Sequence, residues 1–366
     1  MSTRVIGIDP GTVSFDICGL EDGQVFLDTS IPSADVASNP QALVDLLLAA
    51  RPLDLVIGPS GYGLPWVKIE DFGDQEHFLF ILVDEREKGR ISVLGGMSRM
   101  IALMKDSGLP IVFMPAVIHM PTIPVHRKAN KIDMGTADKL CCTVLAILDQ
   151  ARHHQIAYSE TSFVLAEVGG AYTAVMTVEG GQLVDGVGGT IAGPGYYSLG
   201  AMDGELAYLL GRFHKELLFS GGVASMAGRP DLAPEEAAQL LGKDEDLNRG
   251  WEALLEGVVK TVAAEMTLVP SAREILLSGR LCRIPAIREE LTRRLSPLAP
   301  VRQVQGLATN AKEAAQGAAL VADGMAGGRF ADLVEGMKLK EAQGTVLDYL
   351  YLSTAKEIRR KYLGES

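Results

Sequence analysis

The sequence predicts an α/β fold built from two related domains, and three observations carry that reading. First, a Gly-rich acidic strand pair occurs twice. VIGIDPGT (5–12) runs into VSFDICGL (13–20), and FVLAEVGG (163–170) runs into AYTAVMTV (171–178). Second, each copy continues alike, through a tight turn (EDG at 21–23, EGG at 179–181) into a third strand (24–27 and 182–185). Third, the chain has 366 residues, 47 % hydrophobic and 22 % charged, which suits two cores rather than one.

The remaining elements follow in order. Leu43, Leu46 and Leu47 share one face of a helix expected over 41–50, which Pro52 closes. LDLVIG (53–58) reads as a buried strand that ends in the loop PSGYGLP (59–65). The apolar run 78–83 fits a strand or a buried helix, and DEREKGR (84–90) fits a solvated loop or helix end. A helix around 97–105 precedes a strand at 111–114, and the prolines of PAVIHMPTIP (115–124) bar a long helix. The most unusual polar cluster, HRKANKIDMGTADK (126–139), leads into a helix with Leu140, Val144, Leu145 and Leu148 inward, ending near His153.

A boundary between 152 and 162 gives domains 1–155 and 156–366. In the second, GVGGTIAGPG (186–195) is the richest glycine segment. Helices are expected over 203–212, 234–241 and 247–268, then a strand over 274–280 that closes in a glycine turn. Pro285 opens a helix through Leu295, as proline prefers. A strand at 301–304, a helix over 310–323 and a last amphipathic helix over 345–362, packed back on the body, complete the chain.

Composition narrows the function. A net charge of −12 without a long basic run argues against a nucleic-acid groove. No apolar run approaches the ~20 residues that span a bilayer. The chain enters its first strand without a charged-then-apolar leader, so a cytoplasmic protein is expected. Cys18, Cys141, Cys142 and Cys282 form no C-x-x-C pair, and reduced thiols are expected. His153 and His154 read as an exposed helix end, and His119 as a core or cleft histidine. The expected partner is a small-molecule substrate, with a homodimer left open.

In the hairpins, glycines let backbone N–H groups approach a phosphate, and the carboxylate can hold a hydrated divalent cation beside it. Asp9, Gly11 and Thr12 in one copy, and Glu167, Gly169 and Gly170 in the other, are therefore candidate phosphate-site residues. Asp9 and Glu167 are the candidate metal carboxylates, acting through water. Each copy alone also fits an ordinary strand-ending turn, and the duplication argues for one polyphosphate gripped by both domains. In the polar cluster, Arg127 and Lys128 read as substrate-binding cations or as solvated charge. Asp138 stands in a helix first turn, where a carboxylate complements the dipole, and Asp133 or Thr136 is placed to cap that helix. Asp138, Asp133 and Arg127 are carried as candidate catalytic residues. Asp203 starts a helix, as its cap or as a substrate residue.

This order of pieces resembles the acetate and sugar kinase, heat-shock ATPase and actin superfamily over nearly the whole chain. The resemblance implies two ribonuclease-H-like (actin-like ATPase) domains with a central nucleotide cleft that closes on ATP and Mg²⁺. Asp9, Gly11 and Thr12 match its first phosphate motif. Glu167, Gly169, Gly170 and Thr173 match the second, with Glu where Asp is commoner. Ser278 and Gly279 match the adenosine motif, which usually has two adjacent glycines. Ala315, Gly317 and Ala318 resemble the small-residue helix that lets the domains approach. IDMGTADK (132–139) looks like the G-x-D-R segment of type III pantothenate kinases, with Asp138 and Lys139 in the last two places. HRKANKIDMGTADK together with GPGYYSLGAMDGE (193–205) is similar to a family described as predicted butyrate kinases.

The resemblance implies an ATP-dependent kinase of a short carboxylic acid. A carboxylate acceptor of pKa ~4.5 is ionised at neutral pH and needs a cation to orient it, for which Arg127 is placed. An alcohol acceptor would need a base, and Asp138 would serve. Two alternatives stay open: an ATP-hydrolysing activator or assembly subunit of a larger enzyme, and a nucleotide-binding protein without transfer.

Overall fold

A computed structural model describes residues 2–11, 13–58, 61–84, 87 and 92–364. Thr12, residues 59–60 and most of the charged segment 84–90 lie outside the described residues. The chain forms two compact units. The first comprises 1–132, 136–149 and 306–366, and the second 133–135 and 150–305. Contacts therefore do not divide the chain at one point near 155, because the stretch from Gly306 onward returns to the first unit.

In the first unit, β1 (Arg4–Pro10), β2 (Ser14–Glu21) and β3 (Gln24–Pro32) form an antiparallel meander. Its β1 edge continues in parallel through β4 (Leu55–Ile57) to the strand Ile111–Phe113, and β5 (Val67–Lys68) closes the far side antiparallel. With Ile111–Phe113 as β6, the sheet order is β3-β2-β1-β4-β6-β5. In the second unit, β7 (Ser162–Val168), β8 (Thr173–Glu179) and β9 (Gln182–Val187) repeat the meander. The strands β10 (Glu274–Ser278) and β11 (Val301–Gln303) extend it in parallel, giving the order β11-β10-β7-β8-β9. The repeat extends to an irregularity. Register slips between Gly19 and Leu20 in β2, and between Thr177 and Val178 at the matching place in β8.

Every residue of β7 is buried, as a central strand covered on both faces must be. The helix Glu245–Met266 covers this sheet with Trp251, Leu254, Leu255, Val258 and Val262, an i, i+3, i+4 stripe. Asp244 caps it, accepting from Leu247 N–H at 3.1 Å. The expected helix from Pro285 to Leu295 forms with those bounds, burying Ile287, Leu291 and Leu295. The ambiguous run at 78–83 falls largely in a helix, Asp74–Ile81, whose Glu76 side chain accepts from Gly73 N–H at 3.0 Å. The last helix is shorter than expected, Ala355–Leu363. The backbone before it is used otherwise: Thr345 N–H donates to Asp348 Oδ2 at 2.6 Å, and Tyr351 N–H to Asn130 Oδ1 at 2.7 Å.

The helix Glu313–Met325 lies on β1 closely enough to exclude a side chain. A Cβ added to Gly7 would stand 2.2 Å from Ala319 N and 2.5 Å from Ala315 O. On the same helix, a Cβ on Gly317 would stand 1.9 Å from Cys141 O, on the helix Ala137–His154. Ala315, Gly317 and Ala318 thus do their packing within the first unit. All four cysteines are buried, and none is in a disulfide. Among the described residues, no helix is long and apolar enough to cross a membrane.

Two stability predictions follow from these contacts. Gly7→Ala and Gly317→Ala should each cost about 3 kcal/mol or more in urea unfolding, since backbone rather than a side-chain tip must move. Gly204→Ala, with nothing within 4 Å, serves as the control and should stay within about 0.5 kcal/mol. Values for Gly7→Ala and Gly317→Ala near the control would refute the backbone contact. The second prediction concerns His119, which is 1 % exposed and accepts from Ala116 N–H at Nδ1, 3.0 Å away. Burial pushes its pKa from 6.5 down to about 4, with Lys128 adding to the fall. Below pH 6.5 the unfolded chain binds a proton that the native one refuses, so stability falls as pH drops through 6.5 toward 4. The loss approaches about 3 kcal/mol. Between pH 7 and pH 5, the wild-type protein should lose about 2 kcal/mol more than His119→Gln. Equal losses would place the acid sensitivity elsewhere.

Candidate active site

The first cluster forms where β1 ends. Asp9 lies opposite Asp16 across the hairpin, and Gly11 N–H donates to Ser14 O at 2.9 Å to close the turn. Asp16 is fully buried. Its Oδ2 accepts from Ser14 Oγ at 2.9 Å and pairs with Lys312 Nζ at 2.8 Å. Asp16 Oδ1 is buried without a hydrogen-bond partner among the described residues. From the first turn of the helix Ala137–His154 come Asp138 and Lys139, paired at 2.6 Å, and Thr136 Oγ1 donates to Asp138 Oδ1.

The two acidic groups are pushed apart in pKa. Burial, and then the negative charge of Asp138, raise the Asp9 carboxyl to about 7; Lys139 and Lys312 oppose the rise and Asp16 adds to it. Burial would raise Asp138 as well. The Lys139 ammonium and the hydrogen bonds from Lys139 and Thr136 outweigh it and hold this carboxyl below the usual range.

The second cluster repeats the backbone and varies the chemistry. Gly169 N–H donates to Tyr172 O at 2.9 Å, the counterpart of the Gly11–Ser14 bond. Glu167 is buried in the place of Asp9, but Ala174 stands opposite it where the first copy has Asp16. Ser278 lies beside Glu167 in the parallel register of β7 and β10. Gly279 follows with φ +95°, and a Cβ there would stand 2.5 Å from Glu167 Oε1, so only glycine suits this turn. The structure thus brings Glu167, Gly169, Gly170, Ser278 and Gly279 together within the second unit. Thr173 is buried at the start of β8, and Ser278 Oγ is buried with no partner among the described residues.

Other expected residues have different placements. Asp133 Oδ1 accepts from Gly135 N–H at 3.1 Å, and Oδ2 accepts from Thr190 N–H and Oγ1, both at 3.0 Å. Its carboxylate ties the glycine-rich loop at 188–190 rather than standing open to a substrate. Asp203 caps Gly204–Leu210, accepting from Glu205 and Leu206 N–H at 2.8 and 3.2 Å. Arg127 stands half-buried on the short helix Val125–Lys128. Lys128 is buried rather than solvated. Its ammonium donates to Met120 O at 2.8 Å and Tyr349 Oη at 3.3 Å, and burial pushes its pKa down to about 8. His154 Nε2 reaches Glu274 Oε1 at 3.3 Å.

Sequence reasoning missed Asp16, Lys312 and Arg280. Asp16 was findable, because a hairpin turning at 10–13 places it opposite Asp9. Lys312 and Arg280 carried no local signal.

The arrangement has solved relatives in fold. A propionate kinase from Francisella tularensis subsp. tularensis SCHU S4 is similar with a TM-score of 0.59 and 13 % identity, over 86 % of this chain and 98 % of that one. An acetate kinase from Entamoeba histolytica is similar with a TM-score of 0.56 and 10 % identity, over 81 % of this chain and 87 % of that one. For a Porphyromonas gingivalis acetate kinase the values are 0.53 and 14 %, over 79 % and 86 %. The fold is thus the α/β actin-like ATPase type, with two ribonuclease-H-like units. No curated protein matches the chain. A family model described as "Protein of unknown function (DUF1464)" matches residues 7–352, and the chain belongs to that family.

Proposed function

We propose that this chain is an ATP-dependent kinase of a small molecule, with a short carboxylic acid such as butyrate as acceptor. The observation that carries the reading is the duplicated hairpin, with the same turn hydrogen bond and a buried carboxylate at the same place in each unit. The fold is also one that proteins named propionate and acetate kinases use. Gly11 and Gly169 spend their own N–H groups on closing the turns. In the second unit the phosphate-facing amides would therefore come from the residues after Gly169.

The first cluster suits a cation. Asp9 is buried beside the carboxylates of Asp138 and Asp16, and Asp16 Oδ1 has no partner among the described residues. Mg²⁺ is commonly held by one or two carboxylates, waters and substrate phosphates. Asp9 would hold an ion through water, and Glu167 is the corresponding buried carboxylate of the second unit. Bound there, Mg²⁺ would neutralise charge on the phosphate oxygens.

In the transfer, an acceptor carboxylate oxygen forms a bond to the γ-phosphorus. The bond from that phosphorus to the bridging oxygen breaks, and ADP leaves with the electron pair. No proton moves, so no base is needed. Asp138, held low by Lys139, would be a weak base at neutral pH, which favours the carboxylate acceptor.

A coupled ADP-release assay across short carboxylic acids, pantothenate and sugars tests the proposal. Acid-dependent turnover is expected, and slow acid-independent hydrolysis would point to the activator reading. Asp9→Asn should lower turnover with Mg²⁺–ATP by roughly 10²-fold or more. The same variant should unfold at a higher urea concentration than wild type at pH 8. A carboxyl raised to about 7 costs the native state stability as pH climbs from 3.8 through 7, and Asn removes that cost. For a carboxylate acceptor, Asp138→Asn should cost less than the ~10²–10⁴-fold of a lost general base. Arg127→Ala should mainly raise the acceptor KM and leave that for ATP nearly unchanged. Wild-type kinetics in both variants would remove this segment from the acceptor site.

A further inference from the structure

Neither hairpin contains a basic residue: 5–20 and 163–178 have no Lys or Arg. A triphosphate carries several negative charges, and backbone amides alone offer only partial ones. In the first unit a full charge arrives from the other end of the chain. A Cβ added to Gly11 would stand 3.2 Å from Lys312 Nζ, so the ammonium lies directly over the glycine turn.

The segment before Lys312 is built to put it there. Asp28 on β3 accepts from the N–H groups of Thr309, Asn310 and Ala311 at 2.9, 3.0 and 2.7 Å, and from Thr309 Oγ1 at 3.0 Å. Gln316 accepts from Leu307 and Ala308 N–H at 2.5 and 3.1 Å and donates to Ala311 O at 2.7 Å. The ammonium then donates to Ser14 Oγ at 2.5 Å and pairs with Asp16 Oδ2 at 2.8 Å. An ammonium has three N–H bonds, and these two partners leave one. The Lys312 side chain is 26 % exposed while Asp16 is 1 %, so the remaining donor has an open side. A lysine present only to balance a buried aspartate gains nothing from that opening. In the second unit, a Cβ on Gly170 would stand 3.2 Å from Arg280 Cδ and 3.5 Å from its Nη1. Arg280 is held there by Glu235 through two bonds of 2.8 Å. The placement of a remote cation over a hairpin glycine turn therefore occurs twice.

We propose that Lys312 is the cation of the first hairpin, its ammonium held by Ser14 and Asp16 to bind the terminal phosphate of the nucleotide and steady the phosphoryl group during transfer. The inference rests on the reading of this hairpin as a nucleotide-phosphate site. Asp28 acts through Lys312 as a positioning residue.

The test is calorimetric titration of Mg²⁺–ATP and of Mg²⁺–ADP into wild type, Lys312→Met, Lys312→Arg and the double variant Lys312→Met with Asp16→Asn. Lys312→Met should lose roughly 10-fold or more in ATP affinity, the worth of one charge-assisted hydrogen bond, and much less in ADP affinity. Lys312→Arg should keep part of the difference. The double variant removes both partners of the ion pair together, leaves no Asp16 charge without its cation and should fold like wild type, yet it should not regain ATP affinity. Recovery in the double variant, or equal effects on ATP and ADP in Lys312→Met, would show that Lys312 only balances Asp16 and would overturn the inference alone. A wild-type protein that binds neither nucleotide would overturn the nucleotide reading and the inference with it.

Discussion

The approach of the helix Glu313–Met325 to β1 sets most of what happens in the first unit. Gly7 has no Cβ, so Ala315 O and Ala319 N lie against the strand backbone itself. Gly317 does the same against the carbonyl of Cys141. These two contacts bind three segments into one body: the strand that carries Asp9, the helix whose first turn carries Asp138 and Lys139, and the helix that begins after Lys312. The polar cluster stands where the ends of all three meet. Its charges do not assemble it, since desolvation offsets much of what buried ion pairs gain. Apolar packing and backbone approach hold the charges in place.

That scaffold imposes an electrostatic cost. Asp9, Asp16 and Asp138 are gathered into one buried region with two ammonium groups, and the burden is shared unevenly. Asp138 keeps Lys139 and Thr136 and stays low, Asp16 keeps Lys312 and Ser14, and Asp9 is driven to about 7. A cluster with surplus negative charge is a poor stabiliser. Natural proteins tend to keep such locally unfavourable arrangements at functional sites.

The two hairpins are alike as backbones and unlike as chemistry. The turn hydrogen bond, the strand order around the meander and the register slip recur. The carboxylate changes from Asp to Glu, the residue opposite it from Asp16 to Ala174, and the nearby cation from Lys312 to Arg280. Without a second aspartate, the hairpin of the second unit has less charge to offer a metal. The contrast agrees with unequal tasks for the two copies in the phosphotransfer proposed for this chain.

How much was legible followed from the range of the interaction concerned. The hairpins and the helix Pro285–Leu295 came directly from residue pattern, because glycine turns, apolar strand runs and a proline at a helix start act over a few residues. The carboxylate–glycine motif located Asp9 and Glu167 for the same reason. Other features hid from the sequence because they join distant residues. Asp133, read as a helix cap or a catalytic carboxylate, accepts from Thr190 and Gly135, and Lys128, read as a substrate cation or solvated charge, is enclosed by Met120 and Tyr349. The helix expected over 345–362 lost its first part to Asp348 and Asn130. The sequence by itself determined the duplicated strands, their turns and the acidic residue at each strand end, all products of local backbone sterics. Only the tertiary structure decided that the last sixty or so residues rejoin the first unit and deliver Lys312 to Gly11. That contact depends on a missing Cβ at Gly7 and on packing between residues some three hundred positions apart, for which no local pattern exists.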